Sequence, residues 1–389
     1  MPADLASLVD GKRILLCVGA GGVGKTTTAA ALGLAAARRG RRALVITIDP
    51  ARRLASSLGL PRLDQEIRRV PDDTLAEAGV RLAPGGALSA MMLDQKRTFD
   101  ELVTRYARAP GDRERILASR IYQQISTTLT GAHEYAAMAK LQELERDRAF
   151  DTIVVDTPPT AHALDFLDAP DKVAGAVDSP AVEWFRRSLR ATGRFSLRLA
   201  GASGAFVLRR IARFTGAGFL EDIAHFLVDF NEVLGGFRQR AEEVYRLLRG
   251  PEVAFLLVAA PEPTALEEAI YLRDKLLASE MPFSGVIVNR VHVAAPAAPP
   301  AGELARRLGA EPSLAGFPPY DLARAADDLG AADRAVAVLA DADGIALARL
   351  RQALPVELPV VEVPLFDADV HDVRALGTLG AYLATWSSS

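Results

Sequence analysis

Gly19-Ala20-Gly21-Gly22-Val23-Gly24-Lys25-Thr26-Thr27 follows the apolar run 14–18 and precedes an alanine-rich stretch of helical character. A glycine, four residues, then Gly-Lys-Thr lets backbone without side chains wrap an anion, so that successive N–H groups point inward. The helix that follows turns its positive N-terminal end toward the same charge. The strand–loop–helix context distinguishes this phosphate-binding loop from an ordinary glycine turn. In it, Lys25 is expected to reach the β- and γ-phosphate oxygens, Thr26 to offer its hydroxyl to Mg²⁺, and Thr27 to bond the α-phosphate. Gly21, Gly22, Val23 and Gly24 supply the cradle.

Outward from that loop, Leu44-Val45-Ile46-Thr47-Ile48 reads as a second buried strand ending at Asp49-Pro50. A carboxylate there can hold a water in line for attack on the γ-phosphate, or can cap the next helix with Pro50 at its first position. Thr152-Ile153-Val154-Val155-Asp156 is a third strand ending in a carboxylate, the pattern of a Walker B strand whose Asp supports Mg²⁺. Thr157-Pro158-Pro159-Thr160-Ala161-His162 then gives a stiff loop suited to sensing the γ-phosphate. His162 either packs there or acts as a base. Phosphoryl transfer depends more on positioning and charge than on a strong base, which favours packing.

Further buried strands are expected at 253–258, 285–289 and 360–364, the first two flanking a helix over 265–277. Alternating strands and helices predict an α/β fold with a mostly parallel sheet covered on both faces. Residues 60–87 read as polar and irregular. From Leu88 to Leu144 the pattern reads as helical, through Met92, Phe99, Leu102, Val103 and Tyr106 and then Ile116, Ile121, Ile125 and Leu129. The expected organisation is an ATPase core at 1–84, a helical insertion at 85–150 and a return to the core at 151–180. A second helical or lid segment follows at 181–250, and the core closes over 251–389. Asn289 near a strand end can bond a nucleobase or make a turn. No Asn-Lys-x-Asp guanine-reading motif occurs, which favours ATP over GTP.

Residues 184–220 carry eight arginines and no Asp or Glu, interleaved with phenylalanines and glycines. That stretch suits either a lid touching a membrane, an acidic partner or a hydrophobic client, or a solvated face docked by its apolar side. An amphipathic stripe from Phe219 to Phe237 suits core packing better than a client groove.

Composition sets outer limits. Of 389 residues half are hydrophobic, and the formal charge of −3 offers no global attraction to nucleic acid. The one cysteine, Cys17, allows neither a disulfide nor a thiolate metal site. No signal core or membrane-length apolar run is present, so a cytoplasmic protein is expected.

Together these landmarks resemble the ArsA-type ATPases, the deviant Walker A family of P-loop proteins that includes arsenite-pump ATPases and the guided-entry factors for tail-anchored proteins. The resemblance rests on Gly-Gly-Val-Gly-Lys-Thr-Thr at 21–27, Asp49-Pro50-Ala51, Asp156 to His162, Asn289, and Pro364-Leu365. It implies that Asp49 positions the attacking water, Asp156 serves the Mg²⁺ site, Asn289 contacts adenine, and a helical insertion over 85–240 moves with nucleotide. It also implies a homodimer that closes across two ATPs. Three departures stand out. Ala20 replaces the signature lysine that reaches the partner's phosphates, leaving Arg52, Arg53 and Arg290 as candidate substitutes. Cys17 alone cannot supply the clustered thiols of arsenite binding. The Cys-x-x-Cys zinc clamp of the targeting factors is also missing. The expected function is a Mg²⁺-ATPase switch coupling hydrolysis to a protein client or membrane partner. The alternatives are a weakly hydrolysing nucleotide-gated scaffold and an arsenite-pump subunit.

Overall fold

The structure, a computed structural model, describes residues 5–48, 53–107, 110–128, 132–158, 242–296 and 298–385. Its eight strands are β1 (Ile14–Val18), β2 (Arg42–Thr47), β3 (Arg68–Arg69), β4 (Ala87–Met92), β5 (Thr152–Asp156), β6 (Val253–Ala259), β7 (Phe283–Val291) and β8 (Val360–Pro364). They form one sheet in the order β3-β4-β2-β5-β1-β6-β7-β8. Every neighbouring pair is parallel except β3 with β4. The expected α/β class and P-loop architecture hold.

The central strands are continuous apolar runs because both faces are covered. Along β1, Ile14, Leu16 and Val18 enter one hydrophobic cluster while Leu15 and Cys17 enter the other. The second cluster is built from α1 (Leu5–Gly11), α2 (Lys25–Arg38), α3 (Arg53–Ser57), α4 (Asp72–Glu77) and the closing helix near the C-terminus. Helix α2 packs through Ala29, Ala30, Ala31, Ala36 and Ala37, all fully buried. Such small side chains let it lie close to the sheet directly behind the loop.

The first cluster draws on α5 (Gln95–Tyr106), α6 (Pro110–Ala118), α7 (Arg120–Thr128), α8 (Ala132–Asp147) and α9 (Pro263–Ala278). Between β7 and β8 the chain runs through α10 (Ala301–Ala310) and the long α11 (Pro319–Ala353). It ends in α12 (Val373–Thr385), which packs on α2.

Two local readings need correction. Ala87–Met92, expected to open the helical insertion, is strand β4, paired with β2 from Arg42↔Ala87 to Thr47↔Met92. Its Leu, Ala and Met favour helices as isolated residues, and burial on both faces removes the alternation that would mark a strand. The helices begin only at α5. The stretch read as irregular at 60–87 contains β3 and α4, elements too short to show a period. Asp49, Arg52, His162, the arginine-rich segment at 184–220 and the stripe from Phe219 to Phe237 lie outside the described residues.

At the edge where the parallel strands begin, Arg41 gathers the chain. Its guanidinium donates to the carbonyls of Val9 at 2.8 Å, Lys12 at 3.2 Å and Asp151 at 2.5 Å, and also to that of Asp10. Beside it, Arg42 and Asp151 join the starts of β2 and β5: Nη2 lies 2.8 Å from Oδ1, and the Arg42 backbone N–H donates to Oδ2 at 2.9 Å. The hydrogen bonds from Arg42 hold the Asp151 carboxyl down at about 2.

Candidate nucleotide site

The order β2-β5-β1-β6 sends the chain from β1 past β5 to β2, and from β5 past β1 to β6. Crevices of this kind, at the carboxyl ends of the strands, are where open α/β sheets bind ligands. The loop 19–24 lies there, and its glycines have separate reasons. A Cβ on Gly19 would stand 2.0 Å from the Val258 carbonyl oxygen of β6. Gly22 has φ +80° and Gly24 has φ 96° and ψ 24° as the residue that starts α2, a left-handed geometry costly for other residues. A Cβ on Gly24 would also stand 2.3 Å from Asn289 Nδ2. The loop is therefore open backbone on its inner side and pressed against β6 and β7 behind.

Lys25, the first residue of α2, is buried, and its Nζ donates to the Ala20 carbonyl at 2.7 Å, spanning the loop. The next residue, Thr26, reaches the Walker B strand, where its Oγ1 donates to Asp156 Oδ2 at 2.7 Å. Register explains the position of that carboxylate. Asp156 ends β5 opposite Cys17 of β1 and Thr47 of β2. Thr47 Oγ1 then donates to the same Oδ2 at 2.9 Å. Two hydroxyls converge on one buried carboxylate beside a buried ammonium, and charge-assisted bonds of this kind fix a side chain firmly. Next in sequence, Thr157 donates through Oγ1 to the Cys17 carbonyl at 2.8 Å, anchoring the exit from β5 to β1.

These residues fit a metal-bound polyphosphate. The Thr26 hydroxyl and Asp156 carboxylate are oxygen donors of the kind Mg²⁺ prefers, and the loop leaves the space that a Cβ would fill. Cys17 lies beneath the loop without reactivity. Burial, with the nearby Asp156 charge, pushes its thiol up far beyond the ordinary range, so it stays protonated.

A cavity of about 690 Å³ opens from Gly24 and Thr27 along α2. Asn289 and Arg290 of β7 and Arg53 of α3 line it, with Pro364, Leu365 and Phe366 after β8 and His371 before α12. Asn289 Nδ2 donates to the Val23 carbonyl at 3.0 Å, tying β7 to the loop. Arg290 adopts φ 63° where the β7–β8 register shifts.

The sequence-predicted residues Gly21, Gly22, Val23, Gly24, Lys25, Thr26, Thr27, Asp156 and Asn289 thus come together at one edge of the sheet. The position of Asp49 lies outside the described residues. Sequence reasoning missed Thr47, which was visible only as a strand residue; its role emerges from β2–β5 register. It also missed Phe366 and His371, which follow the Pro364-Leu365 landmark with no local signal of their own. Among the described residues no group of three or more His, Cys, Asp or Glu could hold a metal ion, and no described helix is long and apolar enough to cross a membrane.

Comparison with known proteins agrees with this arrangement. The family model described as anion-transporting ATPase matches residues 12–183. An uncharacterized protein of Streptomyces coelicolor, SCO2128, is 36% identical over 166 residues, covering 42% of this chain and 39% of its own length. ATPase get3 of Schizosaccharomyces pombe is 23% identical over 296 residues, covering 75% and 78%. A putative arsenical pump-driving ATPase 1 of Aquifex aeolicus is 24% identical over 287 residues, covering 72% and 63%. The chain thus spans less than two thirds of the length of some relatives and more of others.

Proposed function

We propose that this chain, whose residues 12–183 match the model of the anion-transporting ATPase family, is a Mg²⁺-dependent ATP hydrolase working as a nucleotide-switched homodimer. Turnover is coupled to binding or release of a protein client or membrane partner. The observation that carries the ATPase reading is the convergence of Thr26 and Thr47 on Asp156 Oδ2, next to Lys25 spanning the loop. The client and the two-fold assembly rest on the resemblance to the guided-entry factors.

In this reading the loop N–H groups and the α2 terminus bind the phosphate chain, and Lys25 exchanges the Ala20 carbonyl for phosphate oxygens. Thr26 and Asp156 hold Mg²⁺, which when bound supplies positive charge against the β- and γ-phosphates. Thr47 keeps the Asp156 carboxylate oriented. Asp49 orients the water that attacks the γ-phosphate in line with the departing ADP oxygen. Asn289 and the cavity beyond it take the adenosine, and Asn289 reports occupancy to the loop through Val23. A single buried, protonated cysteine opposes the arsenite-pump reading. One observation favours the weakly hydrolysing scaffold: Ala20 offers only its carbonyl where the family carries a cation, removing a charge that stabilises the transition state.

The test is a pair of variants. Lys25→Ala is expected to abolish ATP binding. Asp49→Asn is expected to bind ATP while hydrolysing it at least ~100-fold more slowly, and to retain in ATP and Mg²⁺ partners that Lys25→Ala does not. Normal turnover in Asp49→Asn removes the role given to that carboxylate. Negligible turnover of the wild type, even with captured partners present, selects the scaffold.

A further inference from the structure

Helix α11 changes surroundings along its length while keeping one pattern. Leu347 and Leu350 in its C-terminal part are buried in the sheet's hydrophobic cluster with α9. Followed back toward the N-terminus, the same helical face carries Leu339, Val336 and Leu329, exposed by 46%, 38% and 50%. The alanines between them, Ala332 and Ala325, are exposed as well. Leu322, Ala325, Leu329, Ala332, Val336 and Leu339 alternate spacings of three and four, the seam of a coiled coil. α10 packs on the neighbouring flank of α11 and has no buried residue of its own. The pair therefore stands off the body as an amphipathic hairpin whose apolar line carries no charge between Leu322 and Leu339.

We propose that this seam is the contact between two copies of the chain, the hairpins pairing antiparallel about a two-fold axis; the proposal rests on the homodimer reading above. The seam is self-complementary, as a two-fold contact must be. Centred between Leu329 and Ala332, an antiparallel pairing sets Leu329 against the partner's Ala332 and Val336 against the partner's Ala325. Large residues then meet small ones, and Leu322 and Leu339 close the two ends. The flanking acids do not oppose one another, because Asp328 falls beside the partner's Ala335 and Asp321 beside the partner's Ala342.

The hairpin is also held to the nucleotide edge. The His292 backbone N–H donates to Asp343 Oδ2 at 2.8 Å with its ring Nδ1 2.9 Å from the same oxygen, and the Ala298 N–H donates to Asp333 Oδ2 at 3.0 Å. Both aspartates lie on α11, and His292 follows Asn289 and Arg290 closely in the chain. Two paired hairpins would fix the spacing between two nucleotide cavities.

Sedimentation velocity of the full chain, with and without ATP and Mg²⁺, tests this against Val336→Glu/Leu339→Glu. Both positions are exposed, so the melting temperature should hardly move. The expected result is a dimeric wild type and a variant whose dimer dissociation constant rises ~100-fold or more, because four carboxylates would enter an apolar seam. A variant that stays fully dimeric overturns the seam and leaves the homodimer reading standing, whereas a monomeric wild type under all conditions overturns both. If the variant does not fold, Leu329→Cys/Ala332→Cys replaces it, since the buried Cys17 does not compete. Oxidation should then give a reducible covalent dimer, and its absence overturns the seam.

Discussion

Gly24 shows how much one position can carry. It holds a left-handed backbone at the start of α2, and the Asn289 amide group occupies the space where a side chain would begin. Gly24→Ala therefore meets two penalties, the backbone cost of ~1–2 kcal/mol and a clash that must move Asn289 from the Val23 carbonyl. Total destabilisation of ~1–3 kcal/mol and weaker ATP binding are expected by thermal melting and calorimetry. The double variant Gly24→Ala/Asn289→Ala should recover part of that loss, because it removes the clash and leaves only the backbone penalty. If the two single changes simply add, the contact between them is not what makes glycine necessary. Residue-level reading of the sequence succeeded for the loop because the motif is contiguous. It failed for Thr47, whose hydroxyl matters only once β2 and β5 are in register.

Elements differ in how openly they declare themselves. β1, β5, β6, β7 and β8 are apolar runs bounded by turn residues and were legible. β4 was not, because buried Ala, Leu and Met satisfy a helical reading equally well, and β3, α1 and α4 were too short to repeat. The link between Arg42 of β2 and Asp151 just before β5 was likewise invisible, since its partners are joined only by strand pairing. Its carboxyl is held at about 2, below the ordinary value of ~3.9. The stabilisation is therefore complete above the ordinary value and disappears as pH falls toward 2. Asp151→Asn should lower the melting temperature slightly at neutral pH, since both side chains are partly exposed. The difference from wild type should close in acid, and ATP turnover should stay unchanged, because the pair lies at the edge opposite the loop. A difference that persists at pH 2 would mean that the ion pair is not its source.

At the scale of the whole molecule, the sheet order that puts β5 between β2 and β1 gathers Lys25, Thr26, Thr47 and Asp156 from two strands and a helix onto one edge. Class and covering layers were legible, because strands and helices alternate along the chain. The far wall of the cavity was not, as Pro364, Phe366 and His371 meet Gly24 and Thr27 only through the packing of β8 and α12 beside α2. Distance along the chain conceals what the sheet brings together.

Arg41, holding four carbonyls at the other edge, gives the molecule a slow side and a fast side. Opening the β1–β2–β5 layer from the Arg41 side requires breaking that whole set, so the amides there should exchange with deuterium only through events close to global unfolding. The loop 19–24 is held by two side-chain bonds, from Lys25 to Ala20 and from Asn289 to Val23, rather than by such a set, and ATP should slow its amides selectively. In a mass-resolved exchange series, nucleotide would then alter the clock of one edge and leave the other unchanged. Equal slowing at both edges would mean that the sheet responds to its ligand as a single body.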